Sequence, residues 1–290
     1  MNVVVAGGTG FVGRPLCREL HERGHDVTAA SRSPDGVDLP EGVETVRVDV
    51  TEPDLSGLVG GADAVVNLVA LPSHVRPRGR SHRAVHLAGT EHLVRASEAA
   101  GVDRFVQMSA LGVDSGVRTA YFAAKRGAER AVRDSDLDWV IYRPSVVFGD
   151  GCAFLPFVER LASARVVPLP GGGDLRIQPM WVGDLAGPLA DGVEDGERAG
   201  DTYEVGGPER LTMAEVVRLV RPDAVVVPVP MPLARLGAAV AGYVPGSPVG
   251  SDQYRVFALD NTVADNDVAA FGIGEADLLT LDEYLSGATP

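Results

Sequence analysis

Val3-Val4-Val5-Ala6-Gly7-Gly8-Thr9-Gly10-Phe11-Val12-Gly13 stands almost at the start of this 290-residue chain. Three valines and an alanine read as a short buried strand, and an apolar pattern of helical period follows over 12–23. Between them the glycines at 7, 10 and 13 give G-x-x-G-x-x-G. The early glycines permit a tight turn and close backbone approach. The last lets the helix pack on the strand while its first N–H groups face a pyrophosphate. A glycine pattern alone is weak, and the plain alternative is a structural turn. Placement at a strand-to-helix junction favours a phosphate loop built from Gly7, Thr9, Gly10, Phe11, Val12 and Gly13.

Outward from that loop, β-branched runs alternate with helical patterns, the signature of βαβ units and a parallel sheet. Strands are expected at 3–6, 26–30, 44–48, 64–69, 104–109 and 139–147, with helices over 12–23, 54–58, 82–100 and 120–134. The fold class is α/β, a doubly wound parallel Rossmann sheet with a smaller C-terminal substrate lobe. Residues 1–150 form the dinucleotide-binding domain, and 176–207 return to it through a helix at 181–192 and a strand at 203–205. Residues 151–290 are mainly the substrate lobe. No internal repeat or low-complexity linker interrupts this plan.

The second strand ends in Ala29-Ala30-Ser31-Arg32-Ser33. An acid here takes the ribose 2′-hydroxyl of NAD, whereas an arginine accommodates a 2′-phosphate. No acid appears before Asp35, and the planar fork of Arg32 suits phosphate. Ser31 and Arg32 therefore point to NADP(H) in preference to NAD(H); the alternative is a solvated arginine and a relaxed site. Asp49 and Val50 are expected beside the adenine, and Leu68, Val69 and Ala70 beside the nicotinamide-side ribose.

Composition narrows the function classes. Net charge is −14, with pI about 4.8, which argues against nucleic acid and against an anionic membrane surface. An acidic surface almost without lysine fits adaptation to high salt, where carboxylate repulsion is screened; the plain alternative is an acidic mesophilic protein. Cys17 and Cys152 form no CxxC and imply neither a disulfide framework nor zinc. No basic or apolar leader precedes the first strand, and prolines and Arg235 interrupt the longest apolar stretch, 225–244. A soluble, cytoplasmic protein without a transmembrane span is expected.

The sole lysine, Lys125, follows Tyr121 by four residues, and 26 Lys+Arg less this one leaves 25 arginines. Tyr-x-x-x-Lys on a helix sets both side chains on one face, where the ammonium can stabilise a tyrosinate and lower the phenol pKa. Taken alone, such a pair is more often a helix surface. Ser109, at the carboxyl end of the fifth strand, completes a Ser-Tyr-Lys set at the sheet edge where ligands bind.

With the glycine loop, these residues resemble the extended branch of the short-chain dehydrogenase/reductase (NAD-dependent epimerase/dehydratase) superfamily. Tyr142-Arg143-Pro144-Ser145-Val146-Val147-Phe148-Gly149 is similar to its RPxxVxG segment, and 178–186 to its return helix. The short Ser109-to-Tyr121 spacing and Gln178-Pro179-Met180-Trp181-Val182 are most similar to the atypical group of the NADPH-binding accessory subunit of complex I and its prokaryotic relatives. The resemblance covers about residues 1–207. It implies that Tyr121 is general acid/base, that Lys125 lowers its pKa and holds the nicotinamide ribose, and that Ser109 polarises a carbonyl. It further implies that Pro144 closes over the nicotinamide. Some members of the group lack the tyrosine or lysine; this chain keeps both.

His86 departs from the family, standing where extended members carry asparagine, in packing or in a proton relay. His82 and His86 are spaced for a metal, but without a third ligand no metal is expected. Arg76, Arg78, Arg80 and Arg83 form a basic loop, solvated or a lid over phosphate. The apolar 231–243 stretch reads as lobe core, or as the wall of an apolar substrate pocket, or as a peripheral membrane contact. The reading is an NADP(H)-dependent oxidoreductase for a carbonyl or alcohol, its partner a small, apolar substrate. Its rivals are an NAD-dependent sugar-nucleotide epimerase/dehydratase and a non-catalytic accessory or assembly protein in an electron-transfer complex. A homodimer through helices 82–100 and 120–134 is a family expectation.

Overall fold

Strands covered by helices on both faces run as unbroken apolar stretches. β1 (Asn2–Ala6), β2 (Asp26–Ser31) and β4 (Ala64–Asn67) show this, while β3 (Glu44–Arg47) is exposed at the sheet edge. The structure, a computed structural model, describes residues 1–71, 80–234, 255 and 259–288. Arg76, Arg78 and most of the apolar 231–243 stretch lie outside the described residues.

With β5 (Arg104–Met108), β6 (Asp138–Pro144) and β11 (Thr202–Val205), these strands form one seven-stranded parallel sheet in the order β11-β6-β5-β4-β1-β2-β3. The order reverses between β1 and β4, which opens the ligand crevice at their carboxyl ends. Leu16 and Leu20 of α1 (Gly13–Glu22) and Leu185 and Leu189 of α6 (Val182–Glu194) cover one face. Val59 of α2 (Ser56–Val59), Leu93 of α3 (Gly89–Ala100) and Val132 of α4 (Ala120–Arg133) cover the other.

Two elements differ from expectation. The 139–147 strand is divided: β6 stops at Pro144, which has no N–H to donate, and β7 (Val147–Phe148) pairs with β10 (Met180–Trp181) outside the main sheet. The 82–100 helix begins as one π-helical turn, Arg83–Ala88, before α3. Thr90 Oγ1 donates to the His86 carbonyl at 2.7 Å, and a Cβ at Gly89 would stand 2.8 Å from Val50 Cγ2. The wide turn thus brings the helix backbone against the loop after β3, and such turns recur at functional sites.

The smaller lobe has its own core. α5 (Phe154–Leu161), β8 (Val166–Pro170) and α7 (Met213–Val220) pack Val158, Val167, Leu169 and Val217 together. β9 (Arg176–Ile177) pairs with β12 (Leu211–Thr212), and β13 (Val225–Val229) with β8. The chain then returns, so that Val268 and Leu278 join the sheet core beside α6. No helix among the described residues is long and apolar enough to cross a membrane.

Candidate active site

The glycine loop sits where β1 hands over to α1. Gly10 N donates to Gly7 O at 2.9 Å, and Gly7 adopts φ 89°, which favours glycine. A Cβ at Gly13 would stand 2.2 Å from Gly7 O and 2.6 Å from the Gly8 backbone. Helix, loop and strand are therefore nested backbone to backbone, and the loop faces an open cleft.

That cleft is a cavity of about 670 Å³ bordered by all seventeen expected site residues. They are Gly7, Thr9, Gly10, Phe11, Val12, Gly13, Ser31, Arg32, Asp49, Val50, Leu68, Val69, Ala70, Ser109, Tyr121, Lys125 and Pro144. They come from the carboxyl ends of β1 to β6 and from the inner face of α4. On this geometry the residues fit a dinucleotide.

At one end, Asp49 accepts from Arg80 at 2.6 Å and from Thr51 N and Oγ1 at 3.1 and 2.8 Å. Burial works against its charge, but Arg80 and Thr51 hold the carboxyl down at about 2. Arg80 also borders the cavity, so one of the basic-loop arginines is committed to this acid. Asp35, the first acid after β2, pairs with Arg47; Arg32 is exposed at the cavity and has no carboxylate partner among the described residues.

At the other end stand Ser109, Tyr121 and Lys125. Thr119 caps α4 by accepting from Phe122 N at 3.1 Å, which sets the phase of the helix. Lys125 is buried, and its Nζ donates to the Met108 carbonyl at 2.8 Å. Burial pushes its ammonium down to about 8, with Glu129, one turn on, pulling the other way. Tyr121 is pushed up to about 12 by burial. Here the structure departs from expectation: in the protein alone, Lys125 is spent on a backbone carbonyl and burial dominates the phenol. Among the described residues Ser109 Oγ makes no hydrogen bond of good geometry, although Glu129 lies close enough to draw on its hydroxyl.

Sequence reasoning missed the surroundings of this set. The rings of His82 and His86 stack at 5.5 Å and both meet Tyr121 edge-on, at 5.5 and 5.4 Å. His86 Nε2 bonds the Leu71 backbone, and burial, aided by Lys125, pushes the ring down to about 2, so it stays neutral. Behind Lys125, Arg143 grips Glu129 with Nε at 3.0 Å and Nη2 at 2.8 Å, and also reaches Asp114 and Glu204. A second cavity of about 190 Å³ adjoins the first; Ala110, Tyr121, Pro144, Ser145, Val146 and Phe154 border both.

Three kinds of relative match this chain. Residues 7–151 match the family model described as NAD(P)H-binding. The mitochondrial NADH dehydrogenase (ubiquinone) 1 alpha subcomplex subunit 9 of Arabidopsis thaliana is 29% identical over 286 residues, covering 90% of this chain and 71% of that protein. The 2-alkyl-3-oxoalkanoate reductase of Stenotrophomonas maltophilia is 31% identical over 251 residues, covering 75% and 74%. Among solved structures, the UDP-glucuronic acid 4-epimerase from Bacillus cereus in complex with NAD superposes with TM-score 0.67 at 18% identity, covering 79% of this chain and 87% of that one, a likeness of fold. With half of its length matched and a reductase above 30% identity, the chain belongs to the NAD(P)H-binding family of the short-chain dehydrogenase/reductase superfamily.

Proposed function

We propose that this protein is an NADP(H)-dependent oxidoreductase acting on a carbonyl or alcohol carbon through Tyr121, Lys125 and Ser109. One observation carries the reading: Tyr121 and Lys125, one turn apart on α4, border the same cavity as the glycine loop. When bound there, the nicotinamide supplies or accepts a hydride. Tyr121 donates its proton to the substrate oxygen as the carbonyl π pair collapses onto it, and regains a proton from solvent. In oxidation the same hydroxyl, as tyrosinate, takes the alcohol proton. Lys125, one turn along the same helix face, would hold the nicotinamide ribose and would stabilise that tyrosinate, and Ser109 would donate to the substrate oxygen. The name of the Stenotrophomonas relative, a ketone reductase, supports the reaction class.

Arg32 supports NADP(H). It faces the cavity without a carboxylate partner among the described residues, while Asp35, the nearest acid, is occupied by Arg47. Titrating NADPH and NADH into wild type and Arg32→Ala tests this. Loss of a charged hydrogen bond weakens NADPH by roughly 10- to 100-fold while NADH stays within about twofold; equal losses for both would refute the preference.

A second reading, a nucleotide-holding accessory subunit, is favoured by Tyr121 standing at about 12 with Lys125 turned to Met108, and by the complex I relative. It predicts that Tyr121→Phe leaves cellular function intact while a blocked glycine loop abolishes it.

A further inference from the structure

The smaller cavity stands apart chemically from the cleft it adjoins. Its wall is Leu111, Phe154, Leu175, Ile177 and Met213, with further apolar groups, and no charged side chain borders it among the described residues. Its polar groups are already engaged with one another. Ser145 Oγ lies 2.7 Å from Asn261 O and 2.8 Å from Asn261 Oδ1 and accepts from Gln178 N at 3.3 Å, while Asn261 Nδ2 donates to Leu111 O at 3.4 Å. Tyr121, on the wall shared with the larger cavity, is left to meet a ligand oxygen.

We propose that this chamber is the substrate site and that it takes an apolar ketone, or the matching secondary alcohol, with the oxygen toward Tyr121 and the alkyl part among Leu175, Ile177 and Met213. A nucleotide-linked sugar is the wrong class. Its diphosphate would enter a wall with no cation among the described residues, and an unpaired charge in such surroundings costs many kcal/mol. The chamber, about 190 Å³, is of the order of the dry apolar cavity of about 150 Å³ that accepts a benzene ring, so a short alkyl chain or one ring fills it. The assignment rests on the oxidoreductase reading for its reaction, but the binding itself does not depend on turnover.

The test is calorimetric titration of the full chain with 2-butanone, 2-hexanone and 2-octanone, each with and without NADPH, and with UDP-glucose as the charged competitor. Burying each methylene should tighten binding about fourfold until the chamber is full. Leu175→Asp should flatten that series and Leu175→Trp should shorten it. Leu175 borders only the smaller cavity, so NADPH affinity should stay within about twofold in both variants, which also reports that they fold. A series flat with chain length in wild type, or UDP-glucose binding that Leu175→Trp removes, would overturn the proposal. Failure of NADPH to bind while the ketone series persists would sink the oxidoreductase reading and leave the chamber standing.

Discussion

Glu129→Gln is the substitution that probes the electrostatics behind Lys125. Glu129 is buried one turn beyond Lys125 on α4, held bidentately by Arg143 and touched by Arg133 at 3.0 Å. A full charge one helical turn away, at roughly 6 Å and an effective dielectric near 20, is worth about 2.8 kcal/mol, or about two pH units. Arg143 and Arg133 stay in the variant, so their repulsion of the ammonium is unchanged and the substitution removes the whole of that attraction, about two units. Removing the negative charge destabilises the ammonium, so the Lys125 midpoint should fall from about 8 to about 6. The fold should survive, because glutamine still accepts one bond and Arg143 keeps Asp114 and Glu204; a lost charged hydrogen bond costs about 1.5–3 kcal/mol. Because Lys125 is the sole lysine, ¹³C-lysine labelling gives one Cε signal to titrate by NMR. An unchanged or raised midpoint in a folded variant would refute the reasoning.

Gly13→Ala sets a Cβ against backbone atoms at 2.2 and 2.6 Å that cannot rotate away. Overpacking of this kind costs about 1–3 kcal/mol, and the loop shift it forces should weaken nucleotide binding, both readable from urea melts with and without NADPH. Lys125 also links stability to pH. Its folded midpoint near 8 lies below the ordinary 10.5, so between these values the unfolded state binds more protons. Stability should therefore rise with pH from 8 to 10, by at most about 1.4 kcal/mol per unit, and Lys125→Met should flatten that rise in denaturant titrations.

The parts of the fold that depend on neighbours in sequence were legible. The β1–loop–α1 junction follows from valines, three spaced glycines and a helical period, and β11 rejoins the sheet at 202–205 as its Tyr203-Glu204-Val205 run suggested. Tyr121 and Lys125 share a helix face because four residues make one turn. What stayed hidden depends on distant packing. Tyr121 is pushed up by burial and meets the rings of His82 and His86 edge-on, and nothing in a Tyr-x-x-x-Lys spacing reports those surroundings. Glu129 meets Arg143 only once β6 lies beside α4, and Arg80 meets Asp49 across 31 residues. The chamber wall gathers Leu111, Ile177 and Asn261 from three separate stretches of chain. No local pattern joins them.

The most direct test of the central claim is deuteride transfer from NADPH deuterated at nicotinamide C4 to 2-octanone, followed by mass spectrometry of the alcohol for wild type and Tyr121→Phe. The account predicts deuterium on the carbinol carbon with wild type. It predicts a rate roughly 10²- to 10⁴-fold lower with Tyr121→Phe at unchanged NADPH affinity. Deuterated alcohol formed equally fast by both proteins, or by neither while both hold NADPH, would contradict it.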